Sequence, residues 1–213
     1  MIIENSGKIY RFKLDYNLGF GFAEFYDFTD EISMFDGRIV YVYNKIDKEE
    51  KKQYELTYIR EKGVAIGPIR LHKSPNTKGL NSWKYLFKTD NFLIDKLPDT
   101  KELQGIEAKD DNWDNFKNLW YNSNYDKKYL PNYVDYEKVR HLETRIINSN
   151  LGVVKKATMK YLLDSCKKIS EYYDLTEIGN KNLFVQLINT YYPLEKTKEF
   201  LKQIPTHKEK YGG

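Results

Sequence analysis

The first 46 residues contain three closely spaced segments in which β-branched and aromatic residues crowd together, with short polar or glycine-bearing turns between them. The segments cover residues 7–15, 18–28 and 37–46. Such residues favour extended backbone, and short turn-forming links between them favour hairpins. The sequence therefore predicts three consecutive antiparallel strands, and this feature constrains the fold more than any other part of the chain.

The alternation of residues along these segments predicts which side chains enter the core. Successive side chains of a strand point to opposite faces, so apolar residues two positions apart share a face. The first segment places three such residues on one face: Tyr10, Phe12 and Leu14. The third segment is apolar on both faces over residues 39–43, so we expect both faces to be covered. Gly19 and Gly21 predict the close approach of another backbone, as in a small barrel.

Later segments extend the predicted β-region to residue 106. Apolar or aromatic runs bounded by polar turns predict further strands over residues 54–60, 64–71, 83–87 and 92–94. Pro68 has no backbone N–H to donate, so it predicts a sheet edge or a bulge. We therefore predict an N-terminal domain, 1–106, that forms an antiparallel sheet or a small barrel.

From Lys109 onward the apolar residues recur every three to four positions, which is typical of helices. Helices are predicted over residues 111–120, 136–147, 153–173, 182–192 and 194–204. Cys166 falls on the apolar stripe of the third helix, so we expect a buried thiol. Strands followed by helices predict an α+β fold, in which a helical region, 107–213, packs on or beside the β-domain.

Composition and charge limit where the chain can act. No apolar run approaches the roughly 20 residues that a membrane-spanning helix needs. The N-terminus lacks the pattern of a secretory signal, and a single cysteine excludes an internal disulfide, so we expect a cytoplasmic protein. The whole net charge of +4 lies in the last 63 residues, and its lysines are spaced as on solvated helix faces.

The sequence shows no arrangement of residues that catalysis or metal binding would require. His72, His141 and His207 fall in separate segments, with no cysteine or carboxylate at ligand spacing. Glycine-rich phosphate loops and serine nucleophile motifs are also missing. We therefore predict a protein that is not an enzyme and uses no metal or cofactor. The alternative, an enzyme, requires acids and a histidine that converge only in the fold.

The opening pattern GKIYRFKLDYNLGFGFAEFYDF, followed by GRIVYVYNKI, combines glycines and aromatic residues in a distinctive order. Its main features are Gly7, Phe12, Leu14, Gly19, Gly21, Phe22 and Ala23. This pattern resembles the start of immunity protein 26, a family of bacterial polymorphic-toxin systems. The resemblance covers residues 5–100, and it implies a cytoplasmic, β-rich, non-enzymatic antidote that binds a cognate toxin and blocks its active site. The family has no catalytic residues and no fixed contact motif, so the resemblance assigns no site residue.

An inhibitor of this kind needs a rigid surface of about 800 Å² per partner, and aromatic residues contribute strongly to such surfaces. The predicted partner-binding residues are strand and loop aromatics, about half of which we expect in the core: Tyr26, Tyr41, Tyr43, Tyr54, Tyr58 and Trp83. The slightly basic charge argues against a basic nuclease as the toxin, because antidotes to such nucleases gain from acidic steering.

A second interpretation is a small β-barrel that binds single-stranded nucleic acid. Aromatic rings stack on bases while basic side chains contact the phosphates. The residues that favour this interpretation are Tyr10, Arg11, Phe12, Lys13, Arg38 and Tyr41.

Overall fold

The computed structural model shows an α+β fold built on a six-stranded, mostly antiparallel sheet. It describes residues 5–29, 37–79, 82–94, 98–103, 120–123, 132–133, 136–144 and 146–205. The six strands are β1 (Lys8–Lys13), β2 (Phe20–Asp27), β3 (Arg38–Asp47), β4 (Val64–Leu71), β5 (Lys84–Lys88) and β9 (Ile147–Asn148). Their order is β5-β1-β2-β3-β4-β9, in which β4 and β9 are parallel. The predicted class and the three opening strands are confirmed.

The connection between β1 and β2 is a tight turn over Asp15–Asn17. Tyr16 and Asn17 have left-handed backbone, with φ of 58° and 55°. Gly21 follows in β2, where an added Cβ would lie 2.8 Å from the Phe12 ring of the neighbouring strand. At Gly19 an added Cβ would lie 2.4 Å from the backbone oxygen of Asp47 in β3, so the predicted close approach of another backbone is confirmed at Gly19, whereas the neighbour of Gly21 is a side chain. The end strands β5 and β9 do not pair with each other, so the described strands form an open sheet and not a barrel.

Pro68 lies within β4 at an irregular part of its pairing with β3. Val40 pairs with Ile69 and Val42 with Ile66, so the register shifts between the two pairs. The proline has no N–H for the ladder, and the shift removes the need for one. The predicted bulge at Pro68 is confirmed.

A second, three-stranded sheet follows the first five strands. It consists of β6 (Thr100–Leu103), β7 (Trp120–Ser123) and β8 (Asn132–Tyr133). Two of these strands, β7 and β8, lie beyond residue 106. The region 107–213, which was predicted to be helical, therefore also contains strands. Trp120 begins β7, while the rest of the predicted helix over 111–120 lies outside the described residues. The predicted helix over 136–147 is reduced to α2 (Tyr136–Val139) and is followed by β9.

The segment 54–60, predicted as a strand, is helical instead. Its residues form α1 (Leu56–Arg60), which packs against β3. Ile59 is completely buried in a cluster that includes Phe22, so one turn of helix suffices to bring its apolar side chain to the sheet. Tertiary packing has overridden the local alternation here. The predicted strand over 92–94 is also wrong, because those residues have no regular secondary structure.

Three longer helices follow: α3 (Asn150–Asp164), α4 (Ile178–Tyr191) and α5 (Leu194–Leu201). The helix predicted over 153–173 ends earlier than expected, at Asp164. Cys166 lies just beyond this end with a φ of 57°, and it is exposed. The predicted burial of its thiol is therefore wrong, because the helical period that placed it inward no longer applies after the helix ends.

The helices cover one face of the main sheet. The largest core cluster joins strand residues such as Phe12 and Ile66 to helix residues such as Leu162, Phe184 and Leu187. The opposite face is covered by two smaller clusters, one of which includes Ile59 of α1. Both faces of the sheet are therefore buried, as the alternation in β3 predicted.

Candidate functional site

Five of the six aromatic residues predicted to contact a partner lie in the interior. They are Tyr26, Tyr41, Tyr43, Tyr54 and Trp83, all of which are buried. Tyr58 is half-buried, and the ammonium groups of Lys45 and Lys51 each lie 3.8 Å from the centre of its ring. We expected about half of the six residues in the core, and five lie there, so these five have little surface open to a partner.

The physical reason is that the chain covers its own aromatic sheet face. Tyr26 and Tyr41 belong to a cluster against which Phe92 and Ile94 pack. Tyr43 and Tyr54 belong to the neighbouring cluster beneath α1. Trp83 lies on the other face of the sheet, where its ring stacks on Phe12 at a centroid distance of 4.9 Å.

The hydroxyl groups of two of these tyrosines are engaged by a buried carboxylate. Glu24 in β2 is completely buried and accepts hydrogen bonds from Tyr26, at 2.6 Å, and from Tyr43. Arg60 of α1 donates from Nη2 to both carboxylate oxygens, at 2.6 and 2.8 Å. Arg60 Nε adds a fifth contact at 3.2 Å, and five donor contacts on one carboxylate compensate for its removal from water.

This cluster holds a neighbouring segment in place. Arg60 Nη2 donates to the backbone oxygen of Asn91 at 2.7 Å, and the backbone N–H of Leu93 donates to the Tyr26 hydroxyl. Burial, together with the bond to Glu24, raises the pKa of Tyr26 well above its ordinary value. The hydroxyl therefore stays protonated, and the arrangement acts as a structural clamp on residues 91–93.

A second buried network lies between α3, α4 and the small sheet. Lys156 Nζ donates to both carboxylate oxygens of Glu143 at 2.7 Å, and Tyr191 donates to the same carboxylate. Lys101 lies nearby, with its Nζ donating to the backbone oxygen of Arg140 at 2.7 Å and to Thr190 at 3.1 Å. Lys101, Glu143 and Lys156 are each 2% exposed or less.

This network holds more positive than negative charge. Burial disfavours the charged ammonium, while Lys156 and Arg140 repel it and Glu143 attracts it, and together they lower the pKa of Lys101 to about 7. A lysine that titrates near neutrality can act as a nucleophile in an open site. Lys101 is only 1% exposed, so its titration acts on stability.

The described residues contain no group of three or more His, Cys, Asp or Glu side chains placed to hold a metal ion. His72 and His141 are exposed on separate segments, and His207 lies outside the described residues.

An open groove of about 680 Å³ lies at the end of the main sheet beside the start of α3. One wall is the segment 72–78 that follows β4, and the other is the segment 148–151 that joins β9 to α3. Most of the lining is amide, hydroxyl or basic. Its charged and titratable members among the described residues are His72, Lys73 and Lys78, and none of the described residues in the lining is acidic.

The groove adjoins a short exposed apolar stretch. Ile146, Ile147 and Leu151 are 47%, 38% and 41% exposed, and all three fall within six residues of the chain. Leu151 lines the groove itself. A basic polar groove bordered by exposed apolar side chains is typical of a protein-binding surface.

Sequence reasoning missed this surface because its two walls are far apart in the chain. Taken alone, each wall is a short polar segment with the composition of a turn or of a helix end. Both segments lack acids in a chain that is otherwise rich in them, and this is the one local signal that could have drawn attention to them.

The residues that favoured nucleic-acid binding are not arranged for stacking. Tyr10, Phe12 and Tyr41 are buried. The Arg11 guanidinium is also buried and pairs with Glu50 at 2.6 Å. Ring faces must be open for bases to stack on them, so the predicted platform is wrong at these positions.

Within the described ranges, no helix combines the length and the apolar character that crossing a membrane requires. No protein-family model, curated protein or solved structure matches this chain.

Proposed function

We propose that the chain is a non-enzymatic immunity protein that binds and neutralises a cognate bacterial toxin, and that the groove between residues 72–78 and 148–151 is its docking surface. The resemblance of residues 5–100 to immunity protein 26 supports the toxin as partner. The observation that carries the choice of surface is that the described lining of the groove contains Lys73 and Lys78 and no acid, and lies beside exposed Ile146, Ile147 and Leu151.

The charge of the groove favours an acidic segment of the toxin. Lys73 and Lys78 contribute positive charge, and no carboxylate among the described lining residues opposes it. Complementary charge steers the encounter of two proteins and penalises wrong partners. The toxin module is therefore one with an acidic surface, as the slightly basic charge of the whole chain also favours.

The walls of the groove are held by backbone hydrogen bonds. The N–H of His72 donates to the backbone oxygen of Asn148 at 3.2 Å, which joins the two walls directly. The N–H of Trp83, a buried core residue, donates to the backbone oxygen of Asn76 at 2.7 Å. Such preorganisation lowers the entropy lost when a partner binds.

The first test is biological. The toxin module encoded by the neighbouring reading frame is expressed in a bacterial host with and without this chain. We expect growth to be rescued by the chain and the two proteins to co-purify. A toxin that remains lethal, or that does not co-purify with the chain, contradicts the proposal.

The second test locates the surface by charge reversal. Lys73→Glu combined with Lys78→Glu should weaken toxin binding by about tenfold, equivalent to about 1.4 kcal/mol, because it opposes an acidic segment. The control combines Lys167→Glu with Lys168→Glu, an equal charge change at two exposed lysines outside the groove. Equal weakening in both variants, measured by titration calorimetry, would show that the groove is not the docking surface.

A further inference from the structure

A cavity of about 170 Å³ lies between the main sheet and the second half of α3. Four buried apolar side chains form much of its lining: Phe12, Leu14, Val42 and Ile66. The space is partly open to solvent, so a small molecule can enter it.

Small residues on three different elements create this space. Gly21 of β2, Ala65 of β4 and Ala157 of α3 all line it. At Gly21 the neighbouring Phe12 ring already occupies the place of a side chain, since an added Cβ would lie 2.8 Å from it. At Ala157 a larger apolar side chain would extend into the cavity, so the void depends on that residue being small.

Polar side chains lie at the rim. Asn44, Asp164 and Ser165 are the exposed members of the lining. The Asp164 carboxylate is already engaged, by Lys160 at 2.5 Å and by the Tyr192 hydroxyl at 2.7 Å. Lys160 also lines the cavity, so its ion pair with Asp164 leaves these two charges balanced, while the Asn44 amide and the Ser165 hydroxyl can each hydrogen-bond to a neutral polar group.

We propose that this cavity binds a neutral, single-ring aromatic molecule that carries one hydroxyl group, with the ring in the apolar space and the hydroxyl at the rim. The size fits this class, because an apolar cavity of about 150 Å³ in another protein binds benzene. Ligand sites for larger, drug-sized molecules begin at about 300 Å³, which exceeds the space available here. This site needs no partner protein and is independent of the toxin-binding groove.

Phenol is the probe for the test, added to the purified full chain and followed by two-dimensional NMR of the backbone amides. We expect saturable binding with a Kd of about 1 mM, within the range open to a ligand of so few atoms. The amide shifts should centre on Val42, Ile66 and Ala157. Ala157→Leu fills the space and should weaken binding at least about tenfold, as the ring then has no volume to enter.

A matched pair of surface variants makes the test independent of core packing. Ser165→Phe places a ring at the rim and should also abolish binding, whereas Ser170→Phe adds the same ring at an exposed residue outside the lining and should leave the Kd unchanged. Absence of saturable phenol binding to the unmodified chain would overturn the proposal. So would full retention of binding in Ser165→Phe, or equal losses in both serine variants.

Discussion

Single residues around Glu143 show how the fold shifts protonation. One carboxylate lies among Lys101, Lys156 and Arg140, and the two lysines are almost completely buried. Lys156 donates to both carboxylate oxygens of Glu143, and Lys101 donates to the Arg140 backbone oxygen and to the Thr190 hydroxyl. The combined effect lowers the pKa of Lys101 from 10.5 to about 7, which couples its proton to folding.

This coupling predicts a stability that rises with pH. Between pH 7 and pH 10.5 the unfolded chain holds a proton on Lys101 that the folded chain has lost. The unfolding equilibrium constant should therefore fall by up to about tenfold for each pH unit in this range. Below pH 7, Lys101 should contribute no change. Urea unfolding between pH 6 and pH 9 measures the slope.

Lys101→Met should remove that slope and keep the rest of the pH profile. The control is Lys167→Met, which makes the same substitution at an exposed lysine and should leave the slope unchanged. If Lys101→Met retains the slope of the unmodified chain, the titrating group is not Lys101.

At the level of elements, the end of α3 is defined by its last hydrogen bonds. The N–H of Lys167 donates to the backbone oxygen of Leu162 at 2.9 Å, and that of Cys166 donates to Leu163 at 3.0 Å. This pair of bonds is a Schellman motif, whose left-handed residue is Cys166 with a φ of 57°. Glycine is the residue that adopts this backbone without steric cost, so the helix ends here at the expense of some strain.

Cys166→Gly should therefore stabilise the protein by about 0.5–1 kcal/mol, because it relieves a left-handed residue that carries a Cβ. Chemical denaturation under reducing conditions measures the change. Cys166→Ala is the control, since it also removes the thiol but keeps the Cβ, and its stability should not rise. A gain of equal size in both variants would assign the effect to the thiol.

For the molecule as a whole, the main core crosses the domain boundary predicted after residue 106. Phe12 and Trp83 come from the first range, while Leu162, Phe184 and Leu187 come from the second, and all five are buried in one cluster. The helices supply the cover for one face of the sheet. A sheet with an uncovered apolar face is unstable in water.

The fragment 1–106 should therefore fail to fold by itself. We expect it to lack the near-ultraviolet circular dichroism of the full chain and to show no cooperative urea transition, whereas the full chain unfolds in one transition. A fragment with a cooperative transition of its own would show that the β-region is an independent domain.

Local patterns were sufficient to predict several elements. The alternation over residues 7–46 determined three strands and their buried faces, and the helical period determined the positions of α4 and α5 to within a few residues. These features depend on neighbours two to four positions apart, so a single sequence contains them. The strand predicted over 54–60 failed because Ile59 is held by contacts with strands far away in the chain.

Only the tertiary structure decided which surfaces remain available. Tyr26, Tyr41 and Tyr43 are aromatic residues of the kind that binding surfaces contain. In the fold they are covered by segments more than ten residues away in the sequence. The pairs Glu24–Arg60 and Glu143–Lys156 likewise form across the fold, as do the two walls of the groove. The physical reason is that a local period shows which side of an element is apolar, whereas the identity of what packs against that side depends on contacts between distant residues.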